Sequence, residues 1–367
     1  MAQLHATGVW WLGIVACQLD MMTIDWKQSL KESVVDPAEL AEILHLDQDE
    51  IAPVARCYPL RITRHYLGLI REKDDPIWRQ CVPDERELQD LCSLPDPLNE
   101  QDLSPVPGLI HRYPDRVVWL VSNVCAVYCR FCMRKRQVGC TAATGAPADM
   151  DAALRYIREN GSIRDVILSG GDPLLLGDDR LAEILASLRS IPHVEIIRIG
   201  SRIPVTLPER ITPELCVLMK RYQPIYINTH FNHPREITPR SRVACAMLAD
   251  AGVPLGNQTV LLNGVNADPA VMTELFRALL AMRVKPYYLH QMDLVRGTHH
   301  FRTRVEKGLE IMTSLRGHVS GMAVPYYVVD LPGGKGKVPL LPGYERGNSG
   351  AYRLTTYTGE IVEYREL

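Results

Sequence analysis

Short apolar runs recur through the middle of the chain, at Val117–Val121, Val166–Ser169, Val194–Ile199, Ile225–Thr229, Thr259–Leu262 and Pro286–Leu289. Each reads as a strand. Between them, Ala152–Glu159, Leu181–Leu188, Pro213–Lys220, Arg242–Ala251 and Val271–Met282 read as helices. A strand with its helix takes about thirty residues or somewhat more, the length a βα crossover needs. Six such units predict an α/β fold, a partial (β/α)6 barrel of the TIM type.

The flanks differ in pattern. From Asp25 to about Leu94 the chain reads as a helical cap, with Asp36-Pro37-Ala38-Glu39 as a helix start followed by apolar Leu40, Ile43 and Leu44. Asp96 to Pro114, rich in Pro, Asp and Gly, reads as an extended linker. After the barrel come Tyr326–Asp330 and a Gly-rich run to Pro342, and Tyr352–Tyr364 alternates like a hairpin. The expected division is a tail over 1–24, cap and linker over 25–114, barrel core over 115–295 and a C-terminal segment over 296–367. In the tail, Val9–Ala16 is apolar and Ile14-Val15-Ala16-Cys17 resembles a lipoprotein cleavage site, but nothing before Lys27 is Lys or Arg and the run is too short to span a bilayer. We read it as a tail or an over-extended start, with Met21 or Met22 as alternative initiators.

The composition, 46% hydrophobic and 23% charged over 367 residues, is that of a globular protein with a sizeable core. A net charge of −2 gives no sign of a nucleic-acid or membrane partner. Ten cysteines are too sparse for a disulfide scaffold, and three crowd together at Cys125, Cys129 and Cys132. A reducing, cytoplasmic setting is expected.

In a parallel barrel the reacting groups collect after the strands. Cys125 follows the first predicted strand, Gly170-Gly171-Asp172 the second, Ser201 and Arg202 the third, His230 the fourth and Asp293 the sixth. The C-x3-C-x2-C spacing puts three thiolates on one loop, enough to hold three irons of a [4Fe–4S] cube and leave the fourth iron open. A zinc site would want a fourth ligand nearby. Tyr128 and Phe131 suit the apolar shell of a cluster.

The run Val124 to Cys132 resembles the signature of the radical S-adenosylmethionine superfamily, and the chain from about Trp26 onward resembles its lysine 2,3-aminomutase branch. The resemblance also covers Pro105-Val106-Pro107-Gly108, His111 to Arg116, Ile199-Gly200-Ser201-Arg202, Asn228 to Pro234, and His300-Phe301-Arg302-Thr303. It implies three cofactors: the [4Fe–4S] cluster, S-adenosylmethionine and pyridoxal 5′-phosphate. Ser169, Gly170, Gly171 and Asp172, with Ser201, His230 and Gln258, would contact S-adenosylmethionine. Glycines there would let backbone approach a ligand.

Leu331 to Pro339 is a flexible loop with Lys335 and Lys337, and Val338 rules out a Walker loop. By resemblance Lys337 is the Schiff-base lysine, with Lys335 the second choice, while Arg112, Tyr113 and Arg116 cradle the cofactor phosphate. Arg134 would bind the substrate carboxylate, with Lys135 and Arg136 beside it solvated. By the same resemblance Asp293 and Asp330 would hold the distal ammonium of lysine; a glutamate-selective relative would need positive or neutral groups there, because a third carboxylate against the pair would cost several kcal/mol.

The implied activity is an isomerase that interconverts L-lysine and L-β-lysine by radical hydrogen transfer and 1,2-amino migration. Alternatives are action on arginine or another amino acid, supply of β-lysine for modifying a translation factor, or a non-catalytic iron–sulfur or zinc protein. A flavodoxin or ferredoxin type reductant and a homo-oligomer are expected partners. Many relatives continue into a cysteine-rich zinc tail; here no cysteine follows Cys245 and Asp268 replaces a bridging cysteine, so that zinc is not expected. Phe131 and His290 also depart from those relatives.

Overall fold

The computed structural model describes residues 23–90, 93–140, 149–343, 345–348 and 351–365. The apolar run Val9–Ala16, Cys17 and the alternative starts Met21 and Met22 lie outside the described residues.

Nine strands form one sheet in chain order: β1 Leu109–Tyr113, β2 Arg116–Ser122, β3 Asp165–Gly170, β4 Ile196–Gly200, β5 Ile225–Thr229, β6 Leu255–Leu261, β7 Val284–Gln291, β8 Tyr326–Asp330 and β9 Lys337–Pro339. β2 to β8 run parallel, while β1 and β9 pair antiparallel at the two edges. Among the described residues no ladder joins β1 to β9, so the curled sheet stays open. Six helices cross between the parallel strands: Met150–Glu159, Asp178–Arg189, Pro213–Arg221, Pro239–Asp250, Pro269–Ala281 and Val305–Leu315. This is the expected half-barrel, extended by a seventh parallel strand.

One row of side chains shows why these strands align. Leu168, Ile199, Ile227, Leu255 and Val284 stand in register on β3 to β7, and all are buried. Each contributes roughly 1.5–3 kcal/mol by leaving water. Leu181, Ile184, Leu185 and Leu188 cover the sheet from helix 178–189, where their spacing puts them on one face. The alternate strand positions, among them Ser169, Asn228 and Gln258, point to the lumen.

Two expectations need correction. Asp96 to Pro114 is not all linker: Val106, Pro107 and Gly108 turn the chain into β1, which pairs Leu109 with Trp119. The sheet therefore crosses the expected boundaries at 114/115 and 295/296, since β8 and β9 belong to it as well. The cap is helical only in short pieces, Trp26–Lys31, Pro37–Leu44, Gln48–Cys57, Arg64–Leu67 and Trp78–Cys81, of which Asp25, Asp36 and Asp47 cap the first three. It sits against the carboxyl ends of the strands: Thr63 Oγ1 donates to Thr206 O at 2.5 Å, and Tyr66 OH to Glu236 at 2.7 Å. Beyond the barrel, β10 Glu345–Asn348, β11 Ala351–Thr355 and β12 Ile361–Arg365 form a small antiparallel sheet.

Candidate active site

The cysteine loop leaves β2 at Ser122, whose Oγ accepts from Val124 N at 3.1 Å. Neighbouring segments then hold it. Tyr128 N donates to Arg61 O and Arg130 N to Gln80 O, both in the cap. Arg130 donates to Glu87 through Nε (2.8 Å) and Nη2, and Lys135 donates to the same buried carboxylate. Lys135 is thus buried, correcting its expected solvation, and burial lowers its ammonium to about 8 against the opposing pull of Glu87. Arg136 likewise pairs with Asp96 at 2.9 Å.

The glycines after β3 serve this loop. Gly170 has φ +120°, and a Cβ there would collide with the Ser122 carbonyl; one on Gly171 would meet Val124 O. Gly171 N and Asp172 N donate to Ser122 O (2.6 Å) and Val124 O (2.8 Å). The close approach expected toward a ligand is therefore, first, an approach to the cysteine loop.

Burial raises the Cys125 and Cys132 thiols, the latter to about 11, and each also feels the charge of Cys129. The loop is tight as well, with Cys132 N donating to Cys129 O at 3.1 Å. Among the described residues no three His, Cys, Asp or Glu groups gather closely enough for one metal ion. A cubane has no such need, because each thiolate binds a different iron.

Above the strands, Asp172 accepts from Ser201 Oγ and from Arg202 N, each at 2.7 Å, and burial raises its carboxyl to about 6. These two expected cofactor contacts are thus bonded to one another. His230 lies 5.6 Å from the Phe131 ring and within 3.1 Å of Asn232, and burial, then Arg202, depress it to about 3. Among the described residues the Gln258 side chain on β6 makes no hydrogen bond, which leaves its amide for a ligand.

On the other side of the lumen, Asp330 ends β8 and faces Lys337 at the start of β9. Lys337 Nζ donates to both its oxygens, at 2.7 and 2.6 Å; Arg112 Nη1 donates at 3.2 Å, and His290 Nδ1 lies 3.5 Å away. Burial works to raise Asp330, but His290 and the Lys337 charge outweigh it and hold it well below the usual carboxylate range. Asp293 is opposite in character: burial and the Asp330 charge raise it to about 7. Arg134 is held by Glu100 at 2.7 and 3.0 Å and reaches Ser169 Oγ at 3.2 Å. A cavity of about 480 Å³ opens here, lined by Arg134, Glu100, Ser122, Asn123, Gly170 and Gly171.

Tyr113 OH accepts from Lys337 N at 2.8 Å. Arg116, by contrast, starts β2 at the far end from the cysteines, pairs with Asp115 at 2.8 Å and stacks 4.9 Å from the Tyr113 ring. It meets the Lys337 group only through Tyr113. Lys335 makes no such bond to Asp330.

Comparison with known proteins agrees with this geometry. Residues 119–276 match the radical SAM superfamily, and residues 312–367 the family described as lysine-2,3-aminomutase. The L-lysine 2,3-aminomutase of Fusobacterium nucleatum is 50% identical over 93% of this chain and 82% of its own, and that of Clostridium subterminale 49% over 93% and 84%. The glutamate 2,3-aminomutase of Clostridioides difficile is 46% identical over 93% of this chain and 83% of its own.

The chain belongs to the lysine 2,3-aminomutase family. The family's cofactors are a [4Fe–4S] cluster, S-adenosylmethionine and pyridoxal phosphate, and the residues present suit them. Three half-buried cysteines, Cys125, Cys129 and Cys132, meet the cluster's donor set. Arg112 Nε is buried without a partner beside Lys337, an orphaned donor suited to an anion such as a phosphate. Asp268, where some family members carry a bridging cysteine, caps helix 269–281 by accepting from Ala270 N at 2.7 Å. Among the described residues no helix is long and apolar enough to cross a membrane.

Glu87, Glu100 and the guanidinium of Arg202 escaped the sequence reading. Their ion-pair partners lie 34 or more residues away, beyond any local pattern. Only the repeated Arg and Lys of the cysteine loop hinted that buried anions must answer them.

Proposed function

We propose that this protein interconverts L-lysine and L-β-lysine. One arrangement supports the substrate choice: Asp330, bonded to Lys337 and Arg112, and Asp293, raised by burial and by the Asp330 charge, share a lumen with Arg134. A ligand with an ammonium at one end and a carboxylate at the other complements that arrangement. A second side-chain carboxylate, as in glutamate, would have to lie against Asp330, which stays ionised.

When bound, the cluster with S-adenosylmethionine supplies reversible hydrogen abstraction at carbon, and pyridoxal phosphate supplies a carrier for the migrating nitrogen. Cys125, Cys129 and Cys132 would hold the cluster, the Ser169–Asp172 backbone, Ser201, His230 and Gln258 would line the S-adenosylmethionine, and Lys337 would tether pyridoxal phosphate. Arg112, Tyr113 and, from farther off, Arg116 would face its phosphate. Asp330 neutralises Lys337 in the absence of ligand, at 2.6 Å, and would pass to the substrate ammonium once Lys337 is engaged. Ser169 lies between the two halves of the site, bonded to Arg134, which supports the proximity that hydrogen transfer requires.

The same reading includes a one-electron donor of flavodoxin or ferredoxin type, a cytoplasmic setting suited to an oxygen-sensitive cluster, and a homo-oligomer. The exposed apolar side chains Tyr357, Ile361, Val362 and Tyr364 of the small sheet support the last of these.

Anaerobic, cluster-loaded protein given dithionite, S-adenosylmethionine and lysine is expected to form β-lysine, with much slower turnover of arginine, ornithine and glutamate. Lys337→Ala should abolish the product while the iron–sulfur absorbance stays. Faster turnover of glutamate than of lysine would overturn the assignment.

A further inference from the structure

Arg202 stands out among the buried cations because four acceptors outside the cysteine loop take hydrogen bonds from its guanidinium, which also points at one of the three sulfurs. Nε donates to His230 O at 3.2 Å, and Nη2 to Tyr66 OH at 2.9 Å, Gln80 Oε1 at 2.6 Å and Glu236 Oε1 at 2.6 Å. Its backbone N donates to Asp172 at 2.7 Å. The Phe131 and Tyr66 rings lie 5.4 and 5.1 Å from the guanidinium carbon. The remaining nitrogen, Nη1, donates to Cys129 Sγ at 2.8 Å.

This is more anchoring than a buried arginine needs to be satisfied. Glu236, fully buried, already balances the charge and also accepts from Tyr66 OH and the backbone N–H groups of Asn232 and His233.

We propose that Arg202 sets the reduction potential of the cluster by donating a charge-assisted hydrogen bond to the Cys129 sulfur, with Glu236 setting how much of its charge the cluster feels. The inference rests on the reading that Cys129 ligates the cluster. Its physical basis is simple. One-electron reduction adds negative charge that spreads onto the ligand sulfurs, and a donor there favours the reduced state over the oxidised one. Because the same residue is tied through its backbone to Asp172 and Ser201, the donor is positioned from the S-adenosylmethionine side of the loop.

The test is an anaerobic redox titration of the reconstituted cluster, followed by electron paramagnetic resonance, on wild type and three variants. Arg202→Gln is expected to cut the reduced-to-oxidised ratio at a fixed poise about tenfold, a fall of about 59 mV for a one-electron couple. Arg202→Lys should recover part of that shift. Glu236→Gln, which leaves the guanidinium charge unbalanced, should move the potential the other way. A role confined to bracing the fold predicts no such opposition of sign. Potentials unchanged in Arg202→Gln and Glu236→Gln, or shifted in the same direction, would overturn the proposal. If Arg202→Gln fails to retain iron, Glu236→Gln decides alone: an upward shift supports it, and no shift or a downward one ends it. Wild-type protein that carries no [4Fe–4S] signal would sink both this inference and the proposed function, whereas a normal wild-type signal with unmoved variants would sink only the former.

Discussion

Lysine binding should be coupled to the ionisation of Asp293. Without ligand its carboxyl titrates at about 7, raised by burial first and by the Asp330 charge second, with Lys337 and Arg112 opposing. Only the carboxylate form attracts an ammonium. A pKa of about 7 leaves Asp293 about one-tenth ionised at pH 6 and about nine-tenths at pH 8. The sign follows directly: the ammonium lowers the pKa in the complex, so affinity is full above the free-protein value and is lost as pH falls through it. Between pH 8 and pH 6 the apparent Kd should therefore rise about tenfold, or about 1.4 kcal/mol. Asp330, held ionised, contributes no slope in this window, and His230, depressed to about 3, stays neutral. Isothermal titration of lysine into the cofactor-loaded but unreduced protein, which cannot turn over, measures the effect at pH 6, 7 and 8. Repeating it in buffers of different ionisation heat counts the released proton. Asp293→Asn should bind more weakly at pH 8 and with little pH dependence. A tenfold pH effect that survives in Asp293→Asn, or its absence from wild type, would refute the coupling.

Three further outcomes are expected. Glu87→Gln strips the buried anion from Arg130 and Lys135 and should cost about 3–5 kcal/mol in denaturant unfolding, far more than an exposed pair would. Gly170→Ala sets a Cβ against the Ser122 carbonyl at a positive φ, so iron content after reconstitution should fall to less than half of wild type, as measured by colorimetric iron assay. Ile227→Ala, in the buried row beneath the sheet, should lower stability by about 2–5 kcal/mol by calorimetry while leaving the iron content per folded molecule unchanged.

The parallel strands were legible because burial on one face imposes a pattern that survives in the sequence: Val166, Ile197 and Ile225 announce themselves. The edges were not. β1 hides behind Pro105, Pro107 and Gly108, which signal a turn, and only its pairing with β2 makes five residues a strand. Tyr326–Asp330 was visible as an element, but its place as a parallel strand depends on β7, which no local pattern reveals. Of the site, the cysteine spacing was a local signal. The acids that organise it were not: Glu100 sits 34 residues from Arg134 and Glu87 sits 48 from Lys135, and only folding makes these pairs adjacent. Lys135 looked like part of a basic surface run because sequence does not record which of three neighbouring cations turns inward.

The gap between β1 and β9 has a mechanical consequence. Any two neighbours among β2 to β8 are joined by a backbone ladder, and prising them apart breaks several bonds together. The seam is laced instead by isolated contacts: Lys337 N to Tyr113 OH, Arg112 to Asp330, and Gly333 N to Pro97 O at 2.7 Å. Each is worth about 0.5–3 kcal/mol and can yield singly. The molecule is thus stiff around most of its circumference and compliant along one line, and that line runs beside the lysine that would carry the cofactor.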